Sequence, residues 1–250
     1  MRKIVAIGGG EIGRPGFPVE TTAIDKEIIK LSGRKNPRLL FIPTASSDSE
    51  GYRKTVEAHF GRLGCKIDAL NLLKDKLSKK EIEKKILGSD IIYVGGGNTL
   101  KMMKIWRKSG IDKILLKAHK KGVVMSGLSA GSICWFKYGN SDSRKFSNPE
   151  AGLIKVRGLG LIEALHCPHY NVEKFRKSDL KEMMKKTSGV AIALDNCCAI
   201  EIVDDSYRII SSKKGANGYK VYWKAGKYHE EMIKKGGHKP LKELLSKDAG

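Results

Sequence analysis

The chain has 250 residues, 40% of them hydrophobic and 30% charged, the balance of a folded globular protein with enough length to bury a full core. No apolar run approaches the roughly 20 residues that a membrane helix requires, so no membrane partner is expected. The formal net charge of +21 comes mostly from lysines spread along the chain rather than clustered with aromatics. That pattern reads as a solvated surface, with no nucleic acid expected, and its basic field would attract acidic substrates.

The opening run Met1-Arg2-Lys3-Ile4-Val5-Ala6-Ile7-Gly8 has too short an apolar part for a signal peptide and runs straight into a glycine turn. It reads as a first strand over 3–8. Further short apolar runs over 38–42, 66–70, 90–94 and 123–126 are mostly unbroken, as strands covered on both faces should be. Between them, 22–31, 49–63, 78–87, 99–107 and 111–120 carry apolar residues at helical spacing. Ser78 with Glu81 supplies a capping box for the third of these helices. After Gly139 the pattern changes to a polar loop, followed by a strand-like segment over 158–165 and a helix over 178–186. Strands follow over 190–194, 199–203, 207–211 and 219–223, the last three antiparallel. Asp204-Asp205 and Ala216-Asn217-Gly218 provide the turns, and 240–245 reads as a short final helix. No stretch resembles a linker. The expectation is one domain over 1–250, of α/β class. Its core is a doubly wound, mostly parallel sheet with helices on both faces, and it ends in a small antiparallel C-terminal extension.

Cys65, Cys134, Cys167, Cys197 and Cys198 are an odd number without a framework spacing, which suits reduced thiols, no disulfide and a cytoplasmic location. No cofactor is expected, and the sequence leaves a homo-oligomer open.

In open α/β sheets ligands gather beyond the carboxyl ends of the strands, so the loops after each strand are where chemistry is sought. Gly8-Gly9-Gly10-Glu11-Ile12-Gly13 formally spaces its glycines as a dinucleotide loop does. However, Pro15 and Pro18 delay the helix and the next strand ends without an acid, so a plain glycine turn near a pocket is the better reading. Gly95-Gly96-Gly97-Asn98-Thr99 lets backbone approach a ligand and offers free helix amides, or is a tight turn with Asn98 as helix cap. Gly127-Leu128-Ser129-Ala130-Gly131 follows a buried strand directly. Small residues there permit the sharp bend that exposes a serine hydroxyl and aims the next amide at an oxyanion.

A serine nucleophile needs a base. His59 and His119 lie within amphipathic helices with charged neighbours, which predicts surface positions, and His229 and His238 sit in the polar tail. His166 and His169, in Leu165-His166-Cys167-Pro168-His169-Tyr170, fall in another loop at a strand's carboxyl end. Metal binding by His166, Cys167 and His169 is the alternative there, but nothing else supplies clear ligands, so no metal is expected.

Val94-Gly95-Gly96-Gly97-Asn98-Thr99, Gly127-Leu128-Ser129-Ala130-Gly131 and Pro168-His169-Tyr170 together, in this order, resemble the peptidase E family of aspartyl dipeptidases, relatives of cyanophycinase. The resemblance implies a fold similar to the class I glutamine amidotransferases, with serine at the elbow where those enzymes carry cysteine. It implies that Ser129 attacks the peptide carbonyl and His169 acts as base, with the amides of Gly97 and Ala130 as oxyanion hole. It further implies that Asn98 and Arg176 hold the side chain of an amino-terminal aspartate, although Arg176 also reads as an exposed cation at a helix start. The third member departs from the family pattern: where many relatives carry glutamate, Asn196 occupies the position, and Asp195 or Asp142 are the alternatives. The implied partner is a small peptide with an acidic residue. The competing readings are a cyanophycinase-like hydrolase and a non-catalytic protein that binds acidic peptides on the same scaffold.

Overall fold

A computed structural model describes residues 1–172 and 175–247. The first half alternates strands with helices, with two helices in succession before its last strand: β1 (Lys3–Ile7), α1 (Thr22–Ser32), β2 (Arg38–Ile42), α2 (Glu50–Arg62), β3 (Lys66–Ala69), α3 (Lys79–Leu87), β4 (Ile91–Val94), α4 (Thr99–Ser109), α5 (Ile111–Lys120) and β5 (Val124–Leu128). The second half is richer in strands. It comprises α6 (Ala130–Ile133), β6 (Phe136–Ser141), β7 (Ile154–Arg157), β8 (Ile162–Cys167), α7 (Arg176–Lys185), β9 (Ala191–Leu194), β10 (Cys198–Val203), β11 (Ser206–Ser211), β12 (Gly218–Lys224), β13 (Lys227–Met232), β14 (Lys239–Pro240) and α8 (Leu241–Leu245).

Two sheets result. The larger has the order β14-β11-β10-β1-β5-β4-β2-β3 and the smaller β13-β12-β9-β8-β6-β7. Within the larger, β1, β5, β4, β2 and β3 are parallel neighbours, and β10 and β11 extend it antiparallel beside β1. In the smaller, β6, β8 and β9 are parallel, flanked by antiparallel β7 on one side and β12 with β13 on the other.

Alternation along each strand explains the unbroken apolar runs. On β1, β2 and β4 the residues Ile4, Ala6, Leu40, Ile42, Ile92 and Val94 enter one core, while Val5, Ile7, Leu39, Phe41, Ile91 and Tyr93 enter another. Both faces are therefore dry, as a parallel sheet requires. α1 and α2 cover the second of these faces through Ile24, Ile28, Val56 and Phe60. The first face packs against α4, α5 and the inner side of the smaller sheet, to which Ala164, Ile192 and Leu194 belong. The outer side of that sheet, with Leu165, Ala191 and Ala193, is covered by Leu180 and Met184 of α7.

Three expectations change. The mostly parallel sheet with helices on both faces and the antiparallel C-terminal strands are found as expected, and a second sheet is added to them because β6, which crosses Gly139, and β7 form where a polar loop was expected. Four of the six residues of β6 are buried, and Gly139 has no room for a Cβ because Ile133 packs against it. The three last-read strands do not pair in sequence: β12 joins β9 in the other sheet. His59 and His119 are buried rather than at the surface. His59 lies 2.7 Å from Asp25, a pair that seals α1 to α2, and burial lowers the pKa of His119. All five cysteines are buried and none is in a disulfide, and burial pushes Cys65 up to about 11 and Cys198 to about 12. No helix among the described residues is long and apolar enough to cross a membrane.

Candidate active site

β1, β4 and β5 are neighbours in register, with Ile7 opposite Leu128 and Val94 opposite Gly127. Their following loops, Gly8–Gly10, Gly95–Gly97 and the turn at Ser129, therefore leave the sheet at one edge. β8 and β9 deliver their own carboxyl-end loops, carrying His169 and Asn196, to the same place. Backbone hydrogen bonds tie these loops together: His169 N–H, after β8 of the smaller sheet, donates to the Gly8 carbonyl at 2.9 Å, Cys197 N–H to Gly9 at 2.8 Å, and, within the larger sheet, Ser129 N–H to Ile7 at 3.1 Å.

Ser129 sits at φ 55°, ψ −115°, in a conformation that side chains rarely adopt, between the end of β5 and the first residue of α6. Such backbone persists only when its surroundings over-determine it. Here a Cβ on Gly127 or on Gly131 would overlap the carbonyl oxygen of Val94, so only glycine fits on either side. The bend lifts the hydroxyl out of the sheet, and Ser129 stays half-buried while Leu128 and Ala130 are buried.

His169 Nε2 lies 2.8 Å from Ser129 Oγ and its Nδ1 lies 2.7 Å from Asn196 Oδ1. An amide oxygen only accepts, so Nδ1 carries the proton and Nε2 presents its lone pair to the serine hydroxyl, the tautomer a general base needs. Asn196 is held in turn by its backbone N–H, which donates to Asn171 Oδ1 at 2.9 Å. The other two candidates for this position are bonded elsewhere. Asp195 accepts from the Asn217 amide at 2.9 Å and its carboxyl is raised by burial. Asp142 lies 3.8 Å from Arg176.

The Gly8–Gly10 loop contributes what sequence reading missed. A Cβ on Gly9 would overlap both His169 Nδ1 and Asn196 Oδ1, so this glycine is the bed on which the imidazole–amide pair lies. The signal was the glycine run itself, ascribed only to a turn near a pocket.

Gly96 places its Cα face beside Ser129, where an added Cβ would be 3.5 Å from the serine Cβ. Three amides of this loop are tied down: Gly95 N–H to Ile42 at 3.2 Å, Asn98 N–H to Ala45 at 2.8 Å, and Gly96 N–H to the Tyr52 hydroxyl at 3.2 Å. Among the described residues the Gly97 amide donates to no protein group, and the Ala130 amide opens α6 and has no intrahelical acceptor. Both suit a developing oxyanion. Tyr52 is desolvated enough that its hydroxyl is pushed up to about 12, so it stays neutral.

Asn98 caps α4, accepting from Lys101 N–H at 2.9 Å, and donates to the Ser143 carbonyl at 3.1 Å. Arg176 is not an exposed cation: it is 1% exposed and donates to the carbonyl and side-chain oxygens of Asn140 at 3.1 and 3.2 Å. Lys174, in the run leading to it, lies outside the described residues. The two predicted substrate-binding side chains are thus both bonded to the segment 140–143, Asn98 through Ser143 and Arg176 through Asn140.

His166 and His169 point apart. The first is fully buried, with Nδ1 2.9 Å from the Ile192 carbonyl and Nε2 2.9 Å from Ser132 Oγ, and burial lowers it to about 3. Both its nitrogens are engaged in the core, and no group of three or more metal-ligating side chains occurs among the described residues.

Comparison with known proteins agrees with this architecture. The model of peptidase family S51 matches residues 4–210. The chain is 36% identical over 225 residues to the uncharacterized peptidase YgaJ of Bacillus subtilis (strain 168), covering 88% of this chain and 92% of that one. Among solved structures, a peptidase from an acI-B1 Actinobacterium superposes with a TM-score of 0.73 at 19% identity, covering 96% of this chain and 97% of the other. A protein provisionally named peptidase E from Listeria monocytogenes EGD-e gives 0.64 at 21% identity, with 84% and 98% covered. An S51 match spanning most of the sequence, on a strand-to-helix serine elbow, leaves one assignment: this chain belongs to peptidase family S51, the peptidase E family, and is a serine-type peptidase.

Proposed function

We propose that the enzyme hydrolyses short peptides, chiefly dipeptides with an amino-terminal aspartate, with Ser129 as nucleophile, His169 as general base and acid, and Asn196 as the residue that orients the imidazole. The observation that carries this reading is the unbroken hydrogen-bonded line from Ser129 Oγ through both nitrogens of His169 to Asn196 Oδ1.

Ser129 Oγ bonds to the carbonyl carbon while its proton passes to His169 Nε2. The oxyanion is received by the Gly97 and Ala130 amides. The C–N bond then breaks as His169 returns the proton to the leaving amine, and water repeats the sequence to release the aspartyl product and restore Ser129. Asn98 and Arg176 lie on the flank that would read the aspartate side chain.

The test is hydrolysis of aspartyl dipeptides by the purified protein, paired with labelling by a fluorophosphonate probe. Ser129→Ala is expected to abolish both. Turnover that survives in this variant overturns the nucleophile assignment, and binding of acidic peptides with neither turnover nor labelling points to a binding protein instead.

A further inference from the structure

The loop after β4 carries the Gly97 amide that would receive the oxyanion, and three glycines in succession give this loop little conformational restraint of its own. The direction of the Gly97 N–H therefore depends on what grips the planar peptide units on either side of it. On one side the Asn98 N–H donates to the Ala45 carbonyl at 2.8 Å, and Gly97, at φ 135°, lies so close that an added Cβ would come within 2.4 Å of the same oxygen. On the other side the Gly96 N–H donates to the Tyr52 hydroxyl at 3.2 Å. The Gly96–Gly97 peptide, which bears the N–H in question, is thus suspended between two anchored planes, and one of the two anchors is a side chain.

That side chain is itself fixed from three directions. Tyr52 stands in the first turn of α2, where the Ser49 cap accepts its N–H at 3.3 Å. Its ring meets Phe41 of β2 edge-on, with centroids 5.1 Å apart. It also lies against Gly95, where an added Cβ would be 2.9 Å from Tyr52 Cε1. We propose that Tyr52 is a positioning residue of the oxyanion hole: by accepting the Gly96 N–H it sets the Gly95–Gly96 plane, and so aims the Gly97 amide at the carbonyl oxygen of a substrate held over Ser129. This role rests on the serine mechanism proposed above and adds to it a group from α2, a helix that supplies no member of the triad.

The consequence lies in the transition state. Without the hydroxyl the Gly95–Gly96 plane loses its anchor, glycine permits rotation at each end of it, and the Gly97 N–H spreads over several directions. An oxyanion donor acts chiefly on charge that develops during attack, so its displacement lowers kcat and leaves ground-state binding largely intact. Deleting such a donor costs about a hundredfold to a thousandfold in rate. A donor that is mobile rather than absent retains part of its effect, so the loss expected here is about tenfold to hundredfold.

Tyr52→Phe tests this, because it keeps the ring on Phe41 and Gly95 and removes only the acceptor. Two rates are measured: kcat with an aspartyl dipeptide, and the second-order rate of fluorophosphonate labelling, which also draws on the oxyanion hole and needs no particular peptide. Both should fall about tenfold to hundredfold, while KM, and dipeptide binding to Ser129→Ala with and without Tyr52→Phe, should stay within about twofold. Val56→Ala is the structural control: Val56 is buried on α2 about one turn beyond Tyr52, so this variant should lower the urea midpoint at least as much and leave both rates unchanged. Unchanged rates in Tyr52→Phe, or a loss that Val56→Ala reproduces, overturn the role of Tyr52 and leave the serine mechanism standing. Labelling without dipeptide turnover in the wild type would correct the substrate, and the labelling rate alone would then decide the role of Tyr52. A wild-type protein that is not labelled at all would sink the mechanism and this role with it.

Discussion

At the scale of single residues, the unusual element is an amide where an acid would complete an ordinary triad. Asn196 fixes the tautomer of His169 and its ring orientation, but it offers no charge to the imidazolium that forms during attack. In a serine protease the aspartate-to-asparagine change lowers turnover by about four orders of magnitude, largely through the wrong tautomer. Here the amide oxygen already faces Nδ1, so the tautomeric part of that loss is avoided. Asn196→Asp should therefore raise kcat by more than about tenfold but by far less than the full factor. A carboxylate beside Nδ1 stabilises the protonated ring and raises its pKa, so the acid limb of the kcat profile should move to higher pH. Steady-state rates from pH 5 to 9 check both, and an unchanged limb would place Asn196 outside the titrating unit. Strain accompanies this constellation: Ser129, His169 and Cys197, next to Asn196, all have positive φ near 55° to 63°. Each such residue costs about 1 to 3 kcal/mol, and the backbone bonds from Gly8, Gly9 and Ile7 to these loops hold them there.

At the scale of elements, helix ends and buried contacts give separable contributions. The capping box on α3 is complete, with the Ser78 hydroxyl accepting from Glu81 N–H and the Glu81 carboxylate returning to the Ser78 backbone. Ser78→Ala should cost about 1 kcal/mol in urea denaturation without touching turnover, since α3 lies far from the serine elbow in sequence and packs on α5. His166 ties α6 to the smaller sheet, because the Ser132 hydroxyl that it contacts also donates to the Ser129 carbonyl at 2.7 Å. Burial lowers its pKa to about 3, against about 6.5 in an unfolded chain. The folded state thus favours the neutral ring, and the associated stability is complete above about pH 6.5 and falls as pH drops toward 3. By pH 4 the loss from this one group reaches about 3 kcal/mol. His166→Asn retains a donor for the Ile192 carbonyl and cannot be protonated, so its stability should be lower at pH 7 yet fall less steeply between pH 6.5 and 4. A slope identical to that of the wild type would assign the acid sensitivity to other groups.

At the scale of the whole molecule, a net charge of +21 surrounds a site proposed to take acidic peptides. Many of the lysines are locally paired or stacked: Lys177 lies 4.9 Å over the Tyr170 ring, Lys181 5.1 Å over Tyr228 and Lys185 5.4 Å over Trp223. These contacts bind α7 to the smaller sheet, but they leave the net field in place. Electrostatic attraction of an aspartyl dipeptide, whose two carboxylates outweigh its one ammonium group, is screened by salt. Raising NaCl from about 20 to about 300 mM should lower kcat/KM for an aspartyl dipeptide several-fold, mainly through KM, and affect a dipeptide without an acidic side chain much less. Parallel salt series on the two substrates make the measurement, and equal responses would show that the field does not act on the substrate.

The order of parallel strands and helices in the first half, the elbow at Ser129 and the histidine loop were legible in the chain because each rests on local chemistry: unbroken apolar runs, small residues at a bend, and an imidazole between a strand and a helix. The second sheet was not legible. β6 and β7 contain polar residues and a glycine that read as a loop, although Gly139, Asn140 and Ser141 are buried once β6 pairs with β7 and β8. Asn196 was nameable from its place after β9, but its choice over Asp195 and Asp142 depends on which side chain the turn at Cys197 directs at the ring. Arg176 carried a charge that sequence alone would leave in water, whereas the tertiary fold surrounds it with the oxygens of Asn140 and Asp142. The glycines after β1 likewise became part of the site only when the two sheets met, since nothing within ten residues of Gly9 reveals that an imidazole must rest upon it. Local sequence therefore marked which groups are candidates for chemistry, and the packing of the two sheets decided which of them meet.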